Sequence, residues 1–142
     1  MPMTPVITKP NFRALVVAVG VFAFLYALSS FGLSALVNWF YPTPPDNLPQ
    51  RMVASPLWIV LSFSLYIIPG FLAGFFAGRS GLMHGSIVGA ITVPIMALIL
   101  YVSGFGATIQ SGALLYGLGL GLFWCSLSGL LGEFVASHVR KS

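Results

Sequence analysis

Apolar residues run along this chain in long blocks, and the formally charged positions fall almost entirely between them. Uncharged stretches extend from Ala14 to Pro45, from Met52 to Gly78 and from Ser80 to Gly132. A helix needs about 20 apolar residues to cross roughly 30 Å of hydrocarbon, so each of the first two stretches holds one span. The third is long enough for two, and Ser103-Gly104-Phe105-Gly106 with Gln110-Ser111-Gly112 breaks it near its middle. The pattern predicts a single domain, 1–142, of four transmembrane helices at about 12–40, 55–78, 83–103 and 112–137, with an outer loop at 41–56. The blocks lack the alternation of barrel strands, and an unpaired strand would leave its amides unsatisfied in lipid. The expected fold class is therefore all-α, an integral membrane bundle.

Composition agrees: 58% of residues are hydrophobic and only 6% charged, with a mean hydropathy of +0.99, which excludes an ordinary soluble domain. The pI near 9.7 does not signal nucleic-acid binding, because six basic residues scattered between apolar blocks make no basic face. Their distribution sets orientation instead. With four helices, Lys9, Arg13, Arg79, Arg140 and Lys141 share one side and Arg51 stands alone opposite. That bias predicts both termini in the cytoplasm, in a bacterial inner membrane. Trp39, Tyr41, Trp58 and Tyr101 fall where the helices reach the outer interface, a check independent of charge. The first apolar stretch is too long for the core of a cleaved signal and is read as the first helix. Cys125, the only cysteine, lies within the fourth block and is read as a small packing residue.

The outer loop carries Pro42, Pro44, Pro45, Pro49 and Pro56 with Asp46, Asn47, Gln50 and Arg51, which suits a stiff, water-exposed spacer. The run from Gly70 to Arg79 echoes that from Gly129 to His138, which leaves open a parallel duplication of two helix pairs.

Glycine placement is the strongest local signal. Gly70, Gly74 and Gly78 recur every four residues on the second helix, and Gly81, Gly85 and Gly89 do so from the start of the third. Gly117, Gly121, Cys125 and Gly129 continue the spacing on the fourth. Residues four apart share a helix face, so each row is a groove into which another backbone can approach closely. The rows are expected to be helix-packing surfaces; a row left over would mean an oligomer or a larger complex. Pro69 and Pro94 fall inside helices, where each removes a backbone hydrogen bond.

Four titratable residues, Arg79, His84, Glu133 and His138, are predicted at similar depth on the cytoplasmic side. Glu133 lies about two turns before Arg140, deep enough to need a partner, and Arg79 is expected to supply it. The contrasting reading makes Glu133 a proton or cation site with a histidine relay, although transport sites usually lie nearer the midplane. His84 and His138 are the only candidate haem ligands, and the expectation is no cofactor and no metal. The chain carries no serine–histidine–acid set, metal-ligand spacing or phosphate loop, so an enzyme is not expected.

The segment Gly70-x-x-x-Gly74-x-x-x-Gly78-Arg79, followed by Gly81, His84-Gly85 and Gly89, resembles that of a group of small four-helix bacterial membrane proteins of unknown function. The resemblance covers about a quarter of the chain; it implies four helices and no activity. It is not a resemblance to the small multidrug transporters, which carry a glutamate in the first helix. The function expected from the residues is an accessory or assembly subunit of a larger membrane complex, or a homo-oligomeric packing protein, with the bilayer and other membrane subunits or itself as partners. The alternative is a small homo-oligomeric transporter or channel using Glu133.

Overall fold

The computed structural model describes residues 9–40, 56–102 and 111–140. The described residues form an all-α bundle of four helices: α1 Phe12–Phe40, α2 Pro56–Ala77, α3 Gly81–Leu100 and α4 Ser111–Val139. Each contains a window long and apolar enough to cross a membrane: Phe12–Gly32, Ile59–Ala77, Gly81–Leu100 and Leu114–Val139. The outer loop with Asp46 and Arg51, and Lys141 at the other end, lie outside the described residues.

The helices are arranged as a rhombus. Central α2 and α3 touch each other, and each also packs on both α1 and α4, while α1 hardly touches α4. This asymmetry disagrees with a duplication of helix pairs, which would make the α1–α4 contact equivalent to the α2–α3 contact. The echo between α2 and α4 reflects a shared need for small residues where those two helices meet.

Glycine explains why α4 packs so closely on its two neighbours. The positions that a Cβ would fill at Gly74 and Gly81 are both occupied by the backbone of Gly129, and that at Gly85 by the backbone of Cys125. Gly89 is met in the same way by Gly121, and Gly70 by Cys125 and Ser128. Gly132, outside the predicted row, is pressed against the backbone of Phe71 and Phe75. Three of the predicted rows therefore fit into one another: α2 and α3 each present glycines to adjoining faces of α4. Lipid chains are as apolar as side chains, so burial alone does not drive this contact. It is held by dispersion between tightly packed backbones and by Cα–H···O contacts that a Cβ would prevent.

One small residue from each helix, Ala18, Ala73, Val88 and Cys125, forms the fully buried centre, with Leu15, Val19 and Tyr66 packed around it. Ala14, Ala18 and Phe22, four apart on α1, make the face that α1 buries. The thiol of Cys125 donates to the carbonyl of Tyr66 at 3.2 Å, so its small size and weak donor are both used. Pro69 is buried within α2, which continues unbroken past it, and Pro94 lies exposed within α3.

Helix ends differ from expectation in ways that have causes. α2 stops at Ala77 because Gly78 takes a left-handed conformation, φ 68°, which terminates a helix and which glycine adopts without a Cβ penalty. α3 starts at Gly81, not near Met83, because its first turn is capped from another helix, as described below. α4 runs on to Val139, so His138 falls in its last turn, where a basic residue suits the helix dipole.

The packing predicts a sharp contrast between glycines. Gly74→Ala and Gly85→Ala should each lower stability in detergent by about 2 kcal/mol or more, because the helices must separate to admit the methyl group. Gly20→Ala and Gly119→Ala, where a Cβ would meet nothing within 4 Å, should be neutral or stabilising by up to about 1 kcal/mol from helix propensity. Thermal or denaturant unfolding of the four variants checks this; equal effects at all four positions would defeat it.

Candidate functional site

The polar residues gather where α1 and α3 begin and α2 and α4 end. α3 begins with Ser80 as its N-cap, in a left-handed conformation (φ 56°, ψ 39°) and without a capping bond from its own side chain. A helix N-terminus leaves amides that its own backbone cannot satisfy, and a non-glycine residue in this conformation costs about 1–2 kcal/mol. Both problems are met by Glu133. Its two carboxylate oxygens accept hydrogen bonds from the amides of Ser80, at 3.0 Å, and Gly81, at 2.7 Å. In an ordinary capping box a glutamate three residues into the helix reaches back to the N-cap amide; here the glutamate comes from a different helix. Position in α4 and the dipole of α3 act together, because the carboxylate lies at the positive end of α3.

His84, one turn into α3, is 2% exposed. Its Nδ1 donates to the carbonyl of Ser80 at 2.9 Å, and its Nε2 accepts from the backbone amide of Asn11 at 2.8 Å. The two ring nitrogens thus take opposite roles, one toward α3 and one toward the start of α1. Asn11 immediately precedes α1, and its side chain receives the Ala14 amide at 3.4 Å and donates toward the Phe76 carbonyl at 3.5 Å. A continuous chain thus runs from α1 and the end of α2 through Asn11, His84 and Ser80 to Glu133 on α4. It links all four helices at one end of the bundle.

Arg140, immediately after α4 and two turns beyond Glu133, completes the arrangement. Its guanidinium lies against Gly78, at the carbonyl end of α2. Residues seven apart share a helix face, so one face of α4 presents an anion to the start of α3 and a cation to the end of α2. Each charge complements the dipole it faces. Alanine at Gly78 would combine a strained backbone with a collision with that guanidinium.

The predicted partner of Glu133 is corrected. Its carboxylate is held by the amides of Ser80 and Gly81, while Arg79 is exposed on the turn between α2 and α3. The spacing argument placed Arg79 at the right level but left out the stronger claim of a helix N-terminus directly beside it. His138 is also apart from the chain: it is exposed, with Nδ1 2.9 Å from the Phe134 carbonyl and its ring 4.3 Å from that of Phe134. The two histidines do not form a haem-ligand pair, because both nitrogens of His84 are committed to protein groups. Among the glycines, Gly70, Gly74, Gly78, Gly81, Gly85, Gly89, Gly121 and Gly129 all lie in close contact, whereas Gly117 is buried with only the Met96 methyl nearby.

Asn11 and Arg140 were missed as members of the cluster. An asparagine directly before an apolar helix is an N-cap signal, and the seven-residue interval between Glu133 and Arg140 is visible in the chain. Further along, Ser86 and Ser126 join α3 to α4 by a 2.7 Å hydroxyl pair, and Thr92 and Ser128 return their hydroxyls to carbonyls of their own helices. Among the described residues, no buried side-chain nitrogen or oxygen lacks a hydrogen-bond partner.

No protein family, curated protein or solved structure matches the chain.

The capping assignment predicts that Glu133→Ala should destabilise the bundle by about 1–3 kcal/mol, whereas Arg79→Ala should change it by less than about 0.5 kcal/mol. The exchange Arg79→Glu with Glu133→Arg should not restore stability, since it puts a cation at the N-terminus of α3. Recovery in the double variant, read from unfolding midpoints, would reinstate an Arg79–Glu133 pair. His84→Phe should in turn free the start of α1, seen as faster amide exchange at Asn11 while the α3–α4 contact stays protected.

Proposed function

We propose that this protein is a small integral membrane protein without catalysis of its own, acting as an accessory or assembly subunit of a larger membrane complex. We place it in a bacterial inner membrane with both termini in the cytoplasm, on the five-to-one distribution of basic residues. The observation that carries the reading is how the chemistry of the bundle is used: its buried polar side chains cap or bond helices, and its main glycine rows fit into one another. Along the middle of the helices the bundle exposes large apolar side chains, among them Phe24, Phe31, Phe123 and Leu131. Such a perimeter suits lipid and flat contact with other helices.

Glu133, the residue on which a transporter reading would rest, has both oxygens engaged in holding the start of α3. The engagement supports a structural role. A homo-oligomer built on the predicted glycine rows also loses support, because those rows are occupied within the chain. The resemblance through the Gly70–Gly89 segment implies four helices and says nothing about activity.

The expected outcome of gentle detergent extraction followed by mass spectrometry of the intact assembly is a fixed ratio to a larger membrane partner. A self-assembly alone, with liposome flux that Glu133→Gln abolishes, would replace the accessory reading by the channel one.

A further inference from the structure

We infer that the end of the bundle carrying the polar chain is a binding surface for anionic phospholipid headgroups. Lys9, Arg13, Arg79 and Arg140 are all exposed there. They border the apolar windows closely: Lys9 and Arg13 flank the start of the first at Phe12, Arg79 lies between Ala77 and Gly81, and Arg140 follows Val139. The hydrogen bonds that tie Asn11 to His84 and Phe76, and Ser80 to Glu133, bring these four segments to one level. Cations belonging to all four helix ends therefore share a single rim at the edge of the apolar zone.

Two features turn this rim into a surface for anions. The first is that the only acid among its described residues, Glu133, is directed inward onto the amides of Ser80 and Gly81. It accepts from those amides and not from a neighbouring arginine, so the outward side chains of the described rim residues carry positive charge. The second is what lies beside the cations. Phe12, Phe76, Leu82 and Val139, each adjacent to the rim, are 76%, 49%, 53% and 59% exposed. Positive groups beside exposed apolar side chains match a molecule with a phosphate attached to acyl chains. A freely diffusing phosphate would use the first set and gain nothing from the second. Basic residues at a membrane surface each favour anionic lipid by about fivefold in partition, without fixed geometry, so the preference is for charge over headgroup shape.

The test uses the full chain in liposomes of phosphatidylglycerol and phosphatidylcholine in equal parts, extracted with mild detergent, with retained lipid counted by mass spectrometry. Phosphatidylglycerol should be enriched about fivefold or more over phosphatidylcholine. The triple variant Lys9→Gln, Arg13→Gln, Arg79→Gln should lose most of that enrichment while keeping its unfolding midpoint in pure phosphatidylcholine. Arg13→Lys with Arg79→Lys should keep the enrichment, because charge is conserved. Retention in bulk proportion by the native chain would overturn the inference and leave an acidic protein as the occupant of the rim. Undiminished enrichment in the correctly folded triple variant would overturn it equally.

Discussion

The closeness of α4 to both α2 and α3 is the constraint on which the rest of the bundle depends. Gly129 is approached by Gly74 from one side and by Gly81 and Gly85 from the other, so three backbones converge where side chains would normally hold them apart. In water, apolar burial could hold helices together at ordinary spacing. Within lipid that drive is missing, and contact must come from surfaces that fit closely over several turns. The polar chain at the end of the bundle follows from the same approach. Glu133 lies one turn beyond Gly129, and its short reach to the amides of Ser80 and Gly81 exists because glycine has already brought α4 against α3.

Packing and capping therefore support each other. The left-handed Ser80 is unfavourable in isolation, yet its amide is held by Glu133 and its carbonyl by His84. Those bonds set the direction in which α3 leaves the turn, which aligns Gly85 and Gly89 with α4. On the opposite side of the rhombus, α1 has no comparable glycine contact: a Cβ at Gly20 or Gly32 would meet nothing within 4 Å. Its anchorage relies on the small face of Ala14 and Ala18 and on the amide that Asn11 gives to His84.

Much of this was legible in the chain, for physical reasons. Apolar blocks report membrane-spanning length directly, and glycine at intervals of four reports close contact because few other causes put glycine inside helices. Which row meets which was not legible, since the same spacing would serve within one chain or between two. Gly132 was missed because it lies off the row, on the side of α4 that faces Phe71 and Phe75. The partner of Glu133 was misread for a different reason. A search for opposite charges finds arginine, whereas the backbone amides that hold this carboxylate belong to Ser80 and Gly81, whose residue types announce nothing.

One consequence concerns the order in which the chain is made. The turn between α2 and α3 precedes the glutamate that caps it by more than fifty positions. When α1, α2 and α3 have been synthesised, the start of α3 still has uncapped amides and the glycines of α2 and α3 still face no backbone. The helix that comes last is thus the one that closes the other three, and any chaperone or translocase holding the unfinished chain would have to shield a glycine-lined gap until α4 arrives.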